Sequence, residues 1–411
     1  MDGAASPIGL SEAWAAVGEH GAFALDCVEL WWIDVPFVRP VSTAVGVHRN
    51  RPLVLVQLRG SADGRSVDGW GECAALADTT YDDEDVAGSF FALEHRLVPA
   101  LVEQAARSHG RLPRPSALDG IRRAAPGGTL AFAALEMAVA DAHLRSESRS
   151  FAQVLRVEDR HVEIGAVVGT CGDTGTLVDA VAALAAEGFT RVKMKIGPGW
   201  DVEPVGAVGA VAAAIPGLRV QADANGSYSE SDSAHLGQLD RFGLLCLEQP
   251  FDRSDLGAHA RLARRLATPI CLDESLDSPE RTAAAISMGA CSVVCVKPSR
   301  LGGLGAALRV VEDCRDAGIP MWIGGMYESG YARGVNTTLA AVPGFAWPGD
   351  LSPAPTYLTD GLVEPLGLVR STSSGALEAS VPGGDGMGPA PDRAALERLL
   401  VRRARVAGPG G

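Results

Sequence analysis

The chain has 411 residues, more than one typical domain needs, and its 47% apolar composition is ample for a sizeable core. Its 36 Lys+Arg against 50 Asp+Glu give a formal charge of −14, which excludes a nonspecific nucleic-acid binder, because phosphate neutralisation needs a net basic face, and favours a small-molecule partner. No stretch reaches the roughly 18 apolar residues of a membrane span, and the start MDGAASPIGLSEAW has neither the basic segment nor the apolar core of a signal peptide, so no membrane partner and a cytoplasmic location are expected.

Residues 1–25 read as an N-terminal extension. FALDCVELWWIDV and RPLVLVQLRG then predict two strands of an antiparallel sheet, followed by the turn-rich SADGRSVDGWGE. SFFALEHRLVPALVEQAAR and TLAFAALEMAVADAHLR carry apolar residues at helical spacing, so 26–158 is expected to form an α+β domain. From Val162 the pattern changes to regular alternation. Apolar runs near 162–169, 190–196, 218–223, 244–249, 269–272, 293–297 and 320–324 suit strands buried on both faces, and Ala-rich helical segments separate them. FAWPGDL near 345–351 is a further strand candidate. The expected fold is α/β, a modified (β/α)7β TIM-type barrel over 159–360, with 361–411 returning to the α+β domain and ending in a basic tail. The eight cysteines show no CxxC pair and several lie in strand-like runs, so buried free thiols are expected rather than disulfides.

Lys195, Asp223, Glu248, Asp273 and Lys297 follow one another at gaps of 28, 25, 25 and 24 residues, about one strand plus one helix each. Each therefore closes a strand, and barrel strand ends converge on one mouth, where the chemistry of such folds sits. Three carboxylates on adjacent strands repel unless a hard cation is present, and oxygen-only ligands favour magnesium, with manganese as the alternative. Lys193 stands two residues before Lys195, on the same strand face, so mutual repulsion is expected to lower the pKa of whichever acts as base. Lys297 ends the sixth strand, opposite Lys195 on the second. Two opposed bases, one on each face of a metal-held carboxylate, are what racemisation at one carbon requires. After the seventh strand, IGGMYESG offers glycine-flanked backbone NH groups and Glu328. His161 and His259 fall outside the strand ends and are read as surface or core residues.

The strand-end pattern resembles the muconate-lactonizing subgroup of the enolase superfamily. VKMKIGPGWDVEPV, DANGSY, FGLLCLEQPF, TPICLDES, KPSRLGG and GGMYESG, with the earlier GWGECAA and TYDDED, resemble its N-succinylamino acid racemase and o-succinylbenzoate synthase family over residues from about 26 to 370. The resemblance implies that Asp223, Glu248 and Asp273 bind magnesium, that Lys195 and Lys297 are the acid/base pair, and that Lys193 supports the first. It places Asn225 near the substrate carboxylate and implies that the α+β domain, 26–158, is a capping domain that closes through the loop Pro40–Gly46 and the segment around Tyr81. It also implies an enolate formed by removing the proton α to a carboxylate, a small-molecule carboxylate substrate and a homo-oligomer.

Some positions depart from the family's usual residues. Val167 stands where Ser is usual, Cys295 where Asn is usual, Ser299 replaces Gly in KPG, and Tyr327 replaces an aliphatic residue. These four, with Gly325, Met326 and Glu328, are expected to line the substrate pocket. The Asp-x-Asp of dipeptide epimerases is absent, since Asp350 is followed by Leu351 and Ser352. The expected activity is racemisation of N-acylamino acids; the alternatives are an o-succinylbenzoate synthase-like dehydration, a cycloisomerase or epimerase on a related carboxylate in secondary metabolism, and a non-catalytic protein that keeps the fold.

Overall fold

The computed structural model describes residues 9–21, 23–43, 46–158, 160–359 and 361–409. Its strands in chain order are β1 (Ala24–Thr43), β2 (Gly46–Ala62), β3 (Arg65–Cys73), β4 (His161–Glu163), β5 (Ala166–Val168), β6 (Arg191–Lys195) and β7 (Arg219–Asp223). They continue with β8 (Leu247–Glu248), β9 (Ile270–Leu272), β10 (Val293–Val296), β11 (Met321–Ile323), β12 (Leu368–Arg370), β13 (Leu377–Ser380) and β14 (Leu400–Ala407).

The first sheet runs β14-β1-β2-β3, antiparallel throughout. The apolar run on β2 is continuous because both faces are covered: Val54, Val56 and Leu58 join one core, and Leu53 and Leu55 the other. The helix Thr129–Ser146 lies across this sheet, buried along nearly its whole length. Gly69 and Gly71 allow its close approach, since a Cβ at Gly71 would fall 2.0 Å from Ala134 O and one at Gly69 would fall 2.5 Å from the Ala142 methyl.

One expectation is refined and one fails in this region. SADGRSVDGWGE is not all turn: the reversal is confined to Asp63 and Gly64, at φ +50° and +74°, and Arg65 onward is β3. The basic VRRAR is not a tail either, for it forms β14 and pairs with β1 from Cys27 to Ile33. Two of its arginines pair with acids, while Leu400, Ala404 and Val406 pack against the cores. Arg402 reaches Glu94 at 2.6 Å and Arg403 reaches Glu29 at 2.5 Å while lying 4.0 Å over the Trp31 ring, so arginines interrupt the hydrophobic alternation that reveals strands in sequence.

The second sheet holds seven parallel strands, β5 to β11 in chain order. The stretch read as one strand over 162–169 divides: β4 joins β13 and β12 in a three-stranded antiparallel sheet, and β5 opens the barrel. Residues 345–351 form no regular strand, yet they fill the eighth position. Gly165 N donates to Gly349 O at 2.7 Å on one side, and Asp350 N donates to Ile323 O at 2.8 Å on the other. Helices fill the outside as the pattern predicts. Thr174–Glu187, for example, starts on the Asp173 carboxylate, which accepts from Thr176 N, and stops at Gly188 with φ +101°.

Candidate active site

Alternation along β6 to β10 turns Val192, Met194, Val220, Leu247, Leu272, Val294 and Val296 outward into the core shared with the helices. The residues between them face the barrel interior. Lys195, Asp223, Glu248, Asp273 and Lys297 gather there at the strand ends. Lys195 and Asp223 pair in register across β6 and β7, as do Asp223 and Glu248 across β7 and β8, while three strands separate β6 from β10.

The contacts join lysine to acid at every step. Lys195 Nζ lies 2.6 Å from Asp223 Oδ2 and 2.7 Å from Asn225 Oδ1. Asn225, at φ +42°, donates its side-chain amide to Glu274 at 2.8 Å. Lys193 lies 2.8 Å from Asp350, 3.3 Å from Glu248 and 3.5 Å from Asp223, with its ammonium 4.7 Å over the Trp322 ring. Lys297 lies 2.8 Å from Asp273 and bonds the Tyr81 hydroxyl, which itself donates to Asp273 at 2.6 Å. Arg300 holds the other oxygen of Asp273 and stacks 4.5 Å from the Tyr81 ring.

These pairs reverse one expectation from sequence. Burial works against the charge on Lys195 and the neighbouring Lys193 repels it, but Asp223 outweighs both, and its pKa stands above the ordinary lysine value. Lys193 is held well above that value, burial being outweighed by Asp350, Glu248 and Asp223. Lys297 is raised in the same way by Asp273. Among the acids, burial and the neighbouring Asp223 charge push Glu248 up to about 8, whereas Arg300 and Lys297 overcome burial at Asp273 and lower it. Glu248 is thus a buried carboxylate with too little positive charge around it, which fits a set of donors built for a cation. The tight triangle of potential ligands here is Glu248, Asp273 and Cys295; Asp223, tied to Lys195, stands outside it.

The remaining pocket expectations divide. Val167 pairs in register with Lys193 and is 43% exposed, at the mouth. Tyr327, 41% exposed with φ +56°, stacks edge-on against Phe37 of β1 and against Tyr357, making an aromatic wall. Among the described residues the Ser299 hydroxyl reaches only the sulfur of Met326, at 3.5 Å. Gly325 packs against Arg333, whose Nη1 would be 2.8 Å from a Cβ there. Met326 is buried in the core of the capping region, and Glu328 is held by Arg333 at 2.8 Å and Asn336 at 3.1 Å. The loop Pro40–Gly46 lies partly outside the described residues, at 44–45. His161 is exposed, and His259 is a core residue whose Nε2 accepts from Phe251 N at 3.2 Å.

Several residues of the site were not found from sequence. Asp350 fixes both Arg191 and Lys193, each at 2.8 Å. Arg51 of β2 spends its guanidinium on backbone carbonyls, among them Met326 and Tyr327 at 3.2 Å each, and Glu72 of β3 takes Ser329 N at 2.9 Å, so the capping sheet grips the loop after β11. The KPSR spacing was a signal for Arg300, since one helical turn returns its side chain to the Lys297 strand end. Nothing local marks Arg51.

Comparison with known proteins fits this geometry. A family model for the mandelate racemase/muconate lactonizing enzyme N-terminal domain matches residues 28–155, and one for the enolase C-terminal domain-like family matches 176–395. The chain is 40% identical over 383 residues to an N-succinylamino acid racemase of an Amycolatopsis species, covering 93% of this chain and 99% of that one. It is 34% identical to an o-succinylbenzoate synthase of Geobacillus kaustophilus, covering 92% and 96%. A solved structure of a probable mandelate racemase from Alicyclobacillus acidocaldarius superposes with a TM-score of 0.84 at 34% identity, covering 93% and 98%. The chain therefore belongs to the mandelate racemase/muconate lactonizing enzyme family of the enolase superfamily, among relatives named N-succinylamino acid racemase and o-succinylbenzoate synthase.

Proposed function

We propose that this chain removes the proton α to a carboxylate through an enolate, and that its main activity is racemisation of N-acylamino acids. The observation that carries this is the pair Lys195 and Lys297, on strands separated by three others, flanking the carboxylates of those three strands. Asp223, Glu248 and Asp273 would hold magnesium, with manganese as the alternative. When bound, the divalent cation supplies the positive charge that the second negative charge of the enolate needs. With the carboxylates so occupied, Lys195 and Lys297 lose the counter-charges that hold their pKa up, and burial then lowers it toward the range of a general base. One lysine takes the α-proton as a free amine, and the C–H electron pair passes into the carboxylate. The other lysine, an ammonium, returns a proton to the opposite face. Lys193, anchored by Asp350, stays a cation and adds fixed positive charge. In this reading, 26–158 and the returning segment 361–411 close the mouth of the barrel 159–360. The protein is a cytoplasmic homo-oligomer.

The relative named o-succinylbenzoate synthase supports a second reading, dehydration, in which Lys195 handles both proton steps and the enclosed Lys297 serves as a cation beside the enolate. For substrate, Val167 and the wall of Phe37 and Tyr327 favour an apolar or aromatic acyl or side chain over a succinyl group. A lost polar partner costs about 1–3 kcal/mol, or about 5- to 150-fold in specificity.

The test assays metal-free and magnesium-loaded protein on N-acetyl, N-succinyl and aromatic N-acyl amino acids, and on the o-succinylbenzoate precursor. Magnesium-dependent loss of optical rotation with α-deuterium exchange is the expected result, faster for aromatic substrates, with Val167→Ser moving preference toward succinyl. Full activity without metal sinks the assignment, and dehydration without racemisation selects the second reading.

A further inference from the structure

Inside the barrel, one layer below the strand-end acids, lies a layer of thiols. Cys246, Cys271 and Cys295 each stand two residues before Glu248, Asp273 and Lys297, so the pleat turns them to the same inward face. They pack with Val293 and Trp322 in a buried cluster separate from the main cores. Cys271 has a partner, for Trp322 Nε1 donates to its sulfur at 3.3 Å.

Cys295 differs. It is 2% exposed, and among the described residues its sulfur makes no hydrogen bond. That sulfur and one carboxylate oxygen each from Glu248 and Asp273 all lie within 4.8 Å of one another. The backbone after β11 presses on it: a Cβ at Gly324 would fall 2.5 Å from the sulfur and 2.5 Å from Lys297 Cε. A buried thiol with no partner is thus aimed at two carboxylates.

We propose that Cys295 is a ligand for thiophilic divalent cations, forming with Glu248 and Asp273 a mixed oxygen and sulfur site for ions such as cobalt, zinc or cadmium. This rests on the reading that the strand-end carboxylates hold a metal ion. Magnesium, a hard cation, is held by oxygens alone, whereas a soft or borderline ion recruits the thiolate. Binding breaks the S–H bond, forms a metal–sulfur bond and releases one proton to solvent, with no change in oxidation state. The asparagine usual at this position in the resembled family offers no sulfur.

The experiment titrates metal-free protein with cobalt(II) and records the absorption spectrum. The expected result is a near-ultraviolet sulfur-to-cobalt charge-transfer band together with the weaker visible d–d bands. Both Cys295→Ser and Cys295→Asn lose the near-ultraviolet band and keep the visible ones, and Cys271→Ser keeps both. A near-ultraviolet band that survives in both Cys295 variants overturns the proposal, as do visible bands without a near-ultraviolet band in the wild type. Asp273→Asn separates the two levels of inference: if the wild-type cobalt spectrum is unchanged in it, or if no cobalt is retained by the wild type on dialysis, the carboxylate metal site itself fails, and this proposal with it.

Discussion

Lys195 and Lys297 both close barrel strands, yet the first side chain is 32% exposed and the second 5%. Lys195 is held by Asp223 and Asn225, which the barrel itself supplies. Lys297 lies under Tyr81, which comes from the capping region, with Arg300 beside it on the same aspartate. The difference teaches that the capping region is chemically one-sided. It completes the surroundings of one lysine and leaves the other to the barrel.

The largest effect that tests this contrast comes from the lysines themselves. Lys195→Ala and Lys297→Ala should each lower racemisation by about 10²- to 10⁴-fold, the range for a general acid/base. Each should keep α-deuterium exchange for the enantiomer whose proton the surviving lysine faces. Equal loss of exchange for both enantiomers in both variants ends the two-base model.

Next in size is stability without metal. Asp273→Asn leaves Lys297 and Arg300 buried without their shared carboxylate, and breaking such a pair costs about 3–5 kcal/mol. Asp223→Asn costs less, because Lys195 reaches solvent and Lys193 keeps Asp350 and Glu248. Denaturant titration of the metal-free variants should rank them in that order; the reverse ranking means the covered side is not the more demanding one.

Tyr81→Phe removes one hydroxyl from the covered side only. A hydrogen bond of this kind contributes about 0.5–1.5 kcal/mol, up to about tenfold in rate. The loss should fall on α-deuterium exchange of the enantiomer deprotonated by Lys297, measured as separate exchange rates for the two enantiomers. A symmetrical loss removes the argument for one-sidedness.

A pH-dependent effect concerns the seam that holds the capping region in place. Burial pushes Glu72, on Ser329, and Glu136, which accepts from Leu304 N at 2.6 Å, up to about 7 each. A carboxyl raised in the folded state binds its proton more tightly there than when unfolded. Its contribution is therefore whole below the ordinary value near 4.5 and is lost as pH rises to about 7. Between those limits each group should tilt stability by about 1.4 kcal/mol per pH unit. Glu136→Gln should flatten the fall of the melting temperature over that window, and an unchanged slope contradicts the assignment.

Sequence reading recovered the barrel because its signals are local: apolar runs, Ala-rich helices and charged residues at strand ends. It also brought Lys195, Asp223, Glu248, Asp273 and Lys297 to one place. It missed what depends on closure of the chain. Asp350 was noted only for a motif it lacks, although it anchors Lys193, because its position is set where Gly349 and Asp350 seal the ring. Arg51 was missed because its partners are backbone carbonyls, two of them, Met326 and Tyr327, 275 and 276 residues away in sequence. In the metal-free protein the lysine pKa shift runs opposite to the sequence expectation because KxK shows the repelling neighbour but not the carboxylates, which dominate until a cation occupies them.

The strand order β14-β1-β2-β3 has a consequence in time as well as in space. During synthesis the whole barrel leaves the ribosome before β14 exists, and until then β1 presents an unpaired edge from Cys27 to Ile33. At about 5–20 residues per second that edge waits on the order of tens of seconds, open to pairing with another nascent chain. A stop codon shortly before Leu400 would therefore not trim a tail. It would leave the capping sheet permanently in its nascent state.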